Sequence, residues 1–177
     1  VPSLGFLRAQ IDACFDDFNV QAVKLGMLAT ADVIHAVADA LEHHRPPHLV
    51  LDPVMVATSG ARLLQPDALD AMRQRLLPLA TVITPNLPEA SLLLAQPIDS
   101  PESMHAACAR FLEAGVRAVL LKGGHLPVQA APDTIIDLLA DASGVHAIQH
   151  PRLPLEAHGT GCSLASAVAA GLALGKS

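Results

Sequence analysis

The sequence predicts an α/β fold with a mostly parallel central sheet and helices on both faces. Helix-like and strand-like segments alternate along the chain with short connections, which is typical of parallel sheets. The strand-like segments are almost continuously apolar, as expected for strands buried on both faces. The chain has 177 residues, of which 51% are apolar and 16% charged. We therefore expect one globular domain over residues 1–177.

The elements of the first third follow from spacing and capping. Apolar residues three and four apart behind Ser3 predict a helix over 4–18, with Cys14 on its buried face. A short apolar run predicts a strand over 21–25 that ends at Gly26. Thr30 can cap a second helix whose apolar positions run from 33 to 41. A second strand is predicted over 48–51, ending at Asp52.

The remaining elements continue the same alternation. Pro66 begins a predicted helix that carries Leu69, Met72 and Leu76, and a strand follows over 81–83. Predicted helices over 87–95 and 100–112 then precede a strand over 118–121, and Cys108 lies on an apolar helix face. Residues 134–140 and 145–149 predict an antiparallel hairpin, and residues 159–174 predict the last helix.

Composition and charge exclude several classes of function. The net charge is −6, there is no basic block, and Trp and Tyr are absent, so we expect no nucleic-acid partner. No apolar run is long enough to span a membrane, and no signal peptide is visible. The three cysteines are isolated, so neither a disulfide framework nor a structural zinc site is expected. A cytoplasmic location is the resulting expectation.

Polar or glycine-bearing tails follow four of the predicted strands, at residues 24–27, 52–55, 84–86 and 122–125. Ligands of open parallel sheets bind beyond the carboxyl ends of the strands. If the sheet is parallel, the four tails share one edge. Three of the tails have an ordinary structural explanation, because Asp52 suits a turn before proline, Asn86 and Glu89 suit a helix start, and Lys122 suits a solvated turn.

A glycine-rich turn opens the last predicted helix. The first amides of a helix lack internal partners, and they bind phosphate or a developing anion at the positive end of the dipole. Gly159, Thr160 and Gly161 fit such a turn, although an ordinary helix start would look the same. Cys162 lies in the first helical turn, where a thiolate is favoured. It is a candidate base or nucleophile, or else a small buried residue.

Five ordered segments together resemble the hydroxymethylpyrimidine/phosphomethylpyrimidine kinases of thiamine biosynthesis, which belong to the ribokinase superfamily. The segments are AVKLGML at 22–28, LDPVMVATSG at 51–60, ITPNLPEA at 83–90, LKGGH at 121–125 and HGTGC at 158–162. The resemblance implies a three-layer α/β/α ribokinase-like fold. It also implies phosphorylation of 4-amino-5-hydroxymethyl-2-methylpyrimidine, and then of its monophosphate, with ATP and Mg²⁺.

The resemblance also assigns roles to individual residues. The amides of the turn that begins at Gly159 would form an anion hole, and Cys162 would replace the aspartate base of most relatives. Lys122 would steady phosphate charge. The remaining implied roles are nucleotide binding by Asn86, Lys122 and Thr160, magnesium binding by Asp52 and Glu89, and lining of the pyrimidine side by Met27 and Val54.

The resemblance further implies that the domain lacks its N-terminal segment and its extreme C-terminal segment. Because the first strands would be missing, the sheet should have an open edge. Two other functions stay open. Pyridoxal kinases belong to the same superfamily, although most of them carry aspartate at the position of Cys162. A non-catalytic ligand-binding or assembly module is the third possibility. A homodimer would be consistent with relatives that often pair.

Overall fold

The structure, a computed structural model, describes residues 3–55, 64–126, 133–153 and 159–176. Its centre is a six-stranded sheet in the order β1-β2-β3-β4-β5-β6. The strands are β1 (Ala22–Leu25), β2 (His48–Leu51), β3 (Val82–Ile83), β4 (Ala118–Leu121), β5 (Thr134–Asp141) and β6 (Gly144–Pro151). The helices are α1 (Leu4–Asp17), α2 (Ala31–His44), α3 (Pro66–Ala71), α4 (Leu87–Leu94), α5 (Pro101–Glu113) and α6 (Thr160–Ala173).

Strands β1 to β4 are parallel and follow chain order, whereas β4–β5 and β5–β6 are antiparallel. Right-handed crossovers between strands in this order carry the connecting helices to the same face of the sheet. Helix α6 comes after the hairpin and packs on β1 and β2. The predicted mostly parallel sheet, with helices on both faces and an antiparallel hairpin, is confirmed.

The two faces of the sheet belong to two apolar clusters. The larger cluster includes Leu51, Ile83 and Leu121 and packs under the connecting helices. On the opposite face, Val50 and Val82 pack against the alanines of α6. Because side chains alternate along a strand, neighbouring residues divide between the clusters. The small alanines let α6 lie close to the strands.

Two details of the helices differ from the sequence predictions. Cys14 is exposed, whereas Cys108 is buried as predicted, and burial raises the pKa of the Cys108 thiol to about 11. Helix α1 buries none of its residues fully, because it lies over α2 at the margin of the core. Phe18, which the sequence places at the end of this helix, follows it in extended conformation and is 64% exposed. An apolar stripe predicts a helix, but not how much of the stripe is covered.

The helix predicted from Pro66 keeps α geometry only to Ala71. Residues Met72–Leu76 form a π turn, in which Leu77 N–H donates to Met72 O, and Leu77–Leu79 form a 3₁₀ turn. Both Met72 and Leu76 are fully buried. The wider turn therefore still presents the predicted apolar residues to the core. In the described residues, no helix is both long and apolar enough to cross a bilayer.

Candidate active site

The carboxyl ends of β1 to β4 meet at one edge of the sheet, as the parallel arrangement requires. Asp52 N–H donates to Leu25 O at 3.0 Å, which ties the end of β2 to the end of β1. Lys122 N–H donates to Pro85 O at 2.9 Å, and Lys122 forms an isolated parallel bridge with Asn86. The convergence of the strand tails that the sequence predicts is therefore present in the structure.

The polar side chains at this edge continue the face of the sheet that α6 covers. Val50 and Val82 point to that face, and the next residues in the same alternation are Asp52 and Thr84. Lys122 is likewise one residue beyond Leu121, which points to the opposite face. The three polar groups thus extend toward the end of the sheet where α6 begins.

Asp52 is the buried centre of the site, with 1% of its surface exposed. The Thr84 hydroxyl donates to Asp52 Oδ1 at 3.2 Å. Lys122 Nζ lies 3.5 Å from the same oxygen, and Lys24 Nζ lies 3.3 Å from Oδ2. Burying a carboxylate costs free energy unless the charge is paired. The two ammonium groups therefore explain why Asp52 can be buried.

Asn86 and Glu89 form a capping box at the start of α4. Asn86 Oδ1 accepts from Glu89 N–H, and Glu89 Oε2 accepts from Asn86 N–H, both at 2.8 Å. Only 5% of Glu89 is exposed, and burial raises the pKa of its carboxyl. The hydrogen bond from Asn86 and the charge of Lys122 oppose this rise in pKa, whereas the charge of Asp52 adds to it.

The glycine turn at the start of α6 stands next to Lys122. Gly159 precedes the helix with φ 76° and ψ 6°, a left-handed conformation that favours glycine. A β-carbon on Gly161 would lie 3.1 Å from Lys122 Nζ, so the ammonium lies against the backbone of the first helical turn. Thr160 and Cys162 are exposed there. Lys122 and the turn thus form one positive surface.

The hairpin supports the loop that follows Lys122, a contribution that the sequence reasoning missed. Gly123 N–H donates to Asp137 Oδ1 at 2.8 Å, and Arg152 Nη1 donates to Gly124 O at 3.1 Å. A signal for Asp137 was present, because it is a carboxylate within the apolar strand β5. Nothing in the sequence indicated which loop it would meet.

Two candidate substrate residues lie beyond the strand ends. Met27 is two residues past β1 and 53% exposed, while Val54 is half-buried and its N–H donates to Asp52 O at 2.8 Å. Both therefore lie at the strand-end edge to which the resemblance assigns the pyrimidine. The segment 56–60 of the second motif and His158 of the last motif lie outside the described residues.

The carboxylates fit magnesium only in part. Each oxygen of Asp52 faces a lysine ammonium, and one oxygen of Glu89 is engaged by Asn86. In the part of the chain that the structure describes, no group of three or more His, Cys, Asp or Glu residues could hold a metal ion. Hydrated Mg²⁺ normally takes one or two carboxylates together with substrate phosphates. The free oxygen of Glu89 suits that mode.

The sheet order, the helices on both faces and the polar strand ends define a ribokinase-like α/β protein. The phosphomethylpyrimidine kinase family model matches residues 2–177. The chain therefore belongs to the phosphomethylpyrimidine kinase family, and the family resemblance drawn from the five segments is confirmed.

Two relatives share close to half of the aligned residues with this chain. The hydroxymethylpyrimidine/phosphomethylpyrimidine kinase of Rhizobium meliloti is 45% identical over 177 residues, covering 98% of this chain and 64% of that protein. The thiamine biosynthesis bifunctional protein of Geobacter sulfurreducens is 46% identical over 172 residues, which are 97% of this chain and 34% of that protein. The chain thus spans less than two thirds of the length of these relatives.

Solved structures agree with the fold. The phosphomethylpyrimidine kinase of Clostridium difficile superposes with a TM-score of 0.86 at 34% identity, over 99% of this chain and 70% of that chain. An ADP complex of Bacillus subtilis pyridoxal kinase gives a TM-score of 0.89 at 33% identity, over 99% of this chain and 66% of that chain. The fold is therefore shared by kinases named for two different substrates.

Proposed function

We propose that the chain transfers the γ-phosphoryl group of ATP to 4-amino-5-hydroxymethyl-2-methylpyrimidine, and then to the resulting monophosphate, in thiamine biosynthesis. Membership of the phosphomethylpyrimidine kinase family supports this proposal. The observation that carries it is the position of Lys122, whose ammonium lies between Asp52 and the backbone of Gly161. This is a site for an anion that gains charge during a reaction.

The proposed chemistry needs little more than positioning and electrostatics. The hydroxyl oxygen of the pyrimidine attacks the γ-phosphorus while the bond to the leaving ADP oxygen breaks. Cys162 orients that hydroxyl and takes up its proton. The amides of Gly159, Thr160, Gly161 and Cys162, with Lys122, stabilise the charge on the transferring group. In the second reaction, a phosphate oxygen of the monophosphate is the attacking atom.

ATP and Mg²⁺ belong to the proposal as phosphate donor and metal. We assign nucleotide contacts to Asn86, Lys122 and Thr160. Glu89 would hold hydrated Mg²⁺ through its free oxygen, and Asp52 would lie near the same metal. When bound, the metal would neutralise phosphate charge. Met27 and Val54 would line the pyrimidine.

Phosphorylation of the pyrimidine by this chain, with ATP and Mg²⁺, tests the proposal. The products are followed by mass spectrometry, and pyridoxal is assayed in parallel. Lys122→Met should abolish turnover. Lys176→Met is the matched control, because Lys176 is exposed and follows the C-terminal end of α6, whereas the glycine turn is at its N-terminal end. A folded chain that binds ADP but phosphorylates neither compound would contradict the proposal and support a non-catalytic binding module.

Pyridoxal kinase is the alternative that one observation favours. The Bacillus subtilis pyridoxal kinase superposes on the chain as well as the phosphomethylpyrimidine kinase does. Turnover of pyridoxal with none of the pyrimidine would establish it.

We also propose a cytoplasmic homodimer, on the grounds of the isolated cysteines and the exposed apolar residues of α1, Leu4 and Phe6. Light scattering at several protein concentrations tests the dimer.

A further inference from the structure

Lys24 is a charged residue in an otherwise apolar strand, and the proposed reaction gives it no role. It lies in β1 between Val23 and Leu25, whose side chains pack into the larger cluster. Because side chains alternate along a strand, the Lys24 side chain points to the opposite face of the sheet. There its ammonium lies 3.3 Å from Asp52 Oδ2, and only 20% of the side chain is exposed. Among the described residues, Asp52 Oδ2 accepts no hydrogen bond, so its contact with the Lys24 ammonium is an ion pair without a hydrogen bond.

The backbone around Lys24 makes room for this ion pair. The register pairs Lys24 with Val50, two residues before Asp52, and Asp52 N–H is bonded to Leu25 O. A β-carbon at position 26 would lie 3.1 Å from Lys24 Nζ. Glycine at this position therefore lets the ammonium fold back over the chain toward Asp52.

Asp52 consequently has one lysine on each oxygen. The sequence contains three lysines, and two of them, Lys24 and Lys122, share this carboxylate. Because Lys24 also compensates the charge of Asp52, Lys122 is not its only partner, and the Lys122 ammonium lies next to Gly161 at the start of α6 as well. If Lys122 were the sole partner of a buried carboxylate, the pair would hold it tightly and oppose its movement toward an anion.

We propose that Lys24 is a positioning residue, which neutralises Asp52 and thereby leaves the Lys122 ammonium available to an anion at the start of α6. The proposal rests on the proposed phosphate-transfer function for the identity of that anion. It does not require Lys24 to touch the phosphate. Lys24 acts through Asp52, and this distinguishes it from a lysine that attracts the anion directly.

A double-mutant cycle tests the proposal without relying on turnover. The variants are Lys24→Met, Asp52→Asn and the two together, with Lys176→Met as the control for loss of a lysine charge. The first readout is thermal unfolding of the ligand-free protein. We expect Lys24→Met to lower Tm by about 3 to 8 °C, because it leaves Asp52 half compensated. Asp52→Asn in the same chain should restore most of this loss.

The second readout is the affinity for ADP, measured by calorimetry on the same four proteins and the control. Lys24→Met should weaken ADP binding about tenfold, and in the Asp52→Asn background the same change should have little effect. A purely structural role would lower Tm and leave the affinity of the folded protein unchanged. Equal weakening in both backgrounds would mean a direct attraction and would overturn the proposal.

The two readouts separate this proposal from the proposed function. Additive effects on Tm overturn the positioning role, whatever is found with ADP. A wild-type chain that binds no ADP overturns both the nucleotide site and the second half of this proposal. If Lys24→Met fails to fold, Gly26→Ala takes its place, since it crowds the ammonium while keeping the charge. It should weaken ADP binding in the same direction, and unchanged affinity would overturn the proposal.

Discussion

Lys122 and Gly161 are so close that a β-carbon on the glycine would lie 3.1 Å from the lysine Nζ. The two residues come from different layers, since Lys122 follows β4 and Gly161 lies in the first turn of α6. The contact is possible because Gly161 has no side chain. It brings a flexible cation to the positive end of a helix, where both would attract a bound anion.

Gly161→Ala should therefore reduce catalysis more than stability. The new methyl group meets the mobile end of a lysine side chain, and alanine suits a helix, so the free energy of unfolding should change by less than about 1 kcal/mol. Displacement of the ammonium should lower kcat by about tenfold or more. Steady-state kinetics and thermal unfolding check both expectations.

Gly171→Ala is the matched control for this change. Gly171 lies in the same helix, and a β-carbon there would have its nearest neighbour, Lys176 Cβ, at 4.0 Å. This variant should keep wild-type kcat. If Gly161→Ala also kept wild-type kcat, the closeness of Lys122 to the turn would have no part in catalysis.

Cys162→Ala tests the proposed base. The thiol is exposed in the first turn of α6, and no other described side chain has been assigned the proton of the substrate hydroxyl. Loss of a general base costs about 100-fold or more in rate, so kcat should fall by that factor while KM changes little. Steady-state kinetics with the pyrimidine separate the two parameters. An unchanged kcat would remove the base role and leave the anion hole intact.

The residues that sequence reasoning found are those whose signals are local. The capping box of Asn86 and Glu89 is a spacing of three residues, and the turn at Gly159 is marked by its glycines. The pairing of Lys24 with Asp52 depends on the register between β1 and β2 and on the path of the ammonium over Gly26. Register is a property of the folded sheet, so neither residue alone predicts the pair.

The contact between the hairpin and the loop after Lys122 also depends on strand pairing in the folded sheet. Asp137 could be recognised as unusual in an apolar strand, but its partner Gly123 lies 14 residues earlier and is reached only after β5 pairs with β4. Cys14 shows a different limit of sequence reasoning. It lies on a predicted apolar helix face, but none of the elements that the structure describes covers that position, and the residue is exposed. Periodicity identifies elements, whereas the exposure of one position depends on neighbouring elements.

Gly123→Ala should destabilise the fold severely. A β-carbon there would overlap Ile136 O and would lie 3.1 Å from Met104 Cε. The first neighbour is backbone of a paired strand, so it cannot move without disturbing the sheet. We expect the free energy of unfolding to fall by about 3 kcal/mol or more, which corresponds to a decrease in Tm of about 6 to 12 °C.

Gly124→Ala, one residue further on, provides the comparison. Its β-carbon would have an ordinary contact of 3.8 Å with Ile135 Cδ1. Its Tm should stay within about 3 °C of the wild-type value, because no neighbour has to move. Thermal unfolding of the two variants decides the point, since equal Tm values would show that the loop behind Lys122 adapts freely.

Glu89→Gln should stabilise the protein at neutral pH while it lowers activity. Burial raises the pKa of the Glu89 carboxyl above its ordinary value of 4.5. A carboxyl with a raised pKa in the folded state favours folding when it is protonated. Its contribution is fully present below pH 4.5 and is lost as the pH rises through the folded pKa. At neutral pH, the buried charge therefore opposes folding.

Glutamine keeps a side-chain oxygen that can accept the hydrogen bond from Asn86 N–H, and it removes the charge. The Tm advantage of Glu89→Gln should therefore be largest at pH 7 to 8 and should shrink as the pH falls toward 4.5. Glu102→Gln, an exposed glutamate in the first turn of α5, should show no such pattern. A Glu89→Gln protein less stable than wild type at pH 7 would mean that the carboxylate is needed for the fold. A stabilised protein with reduced phosphate transfer would mean that Glu89 retains its buried charge for function, at the expense of stability.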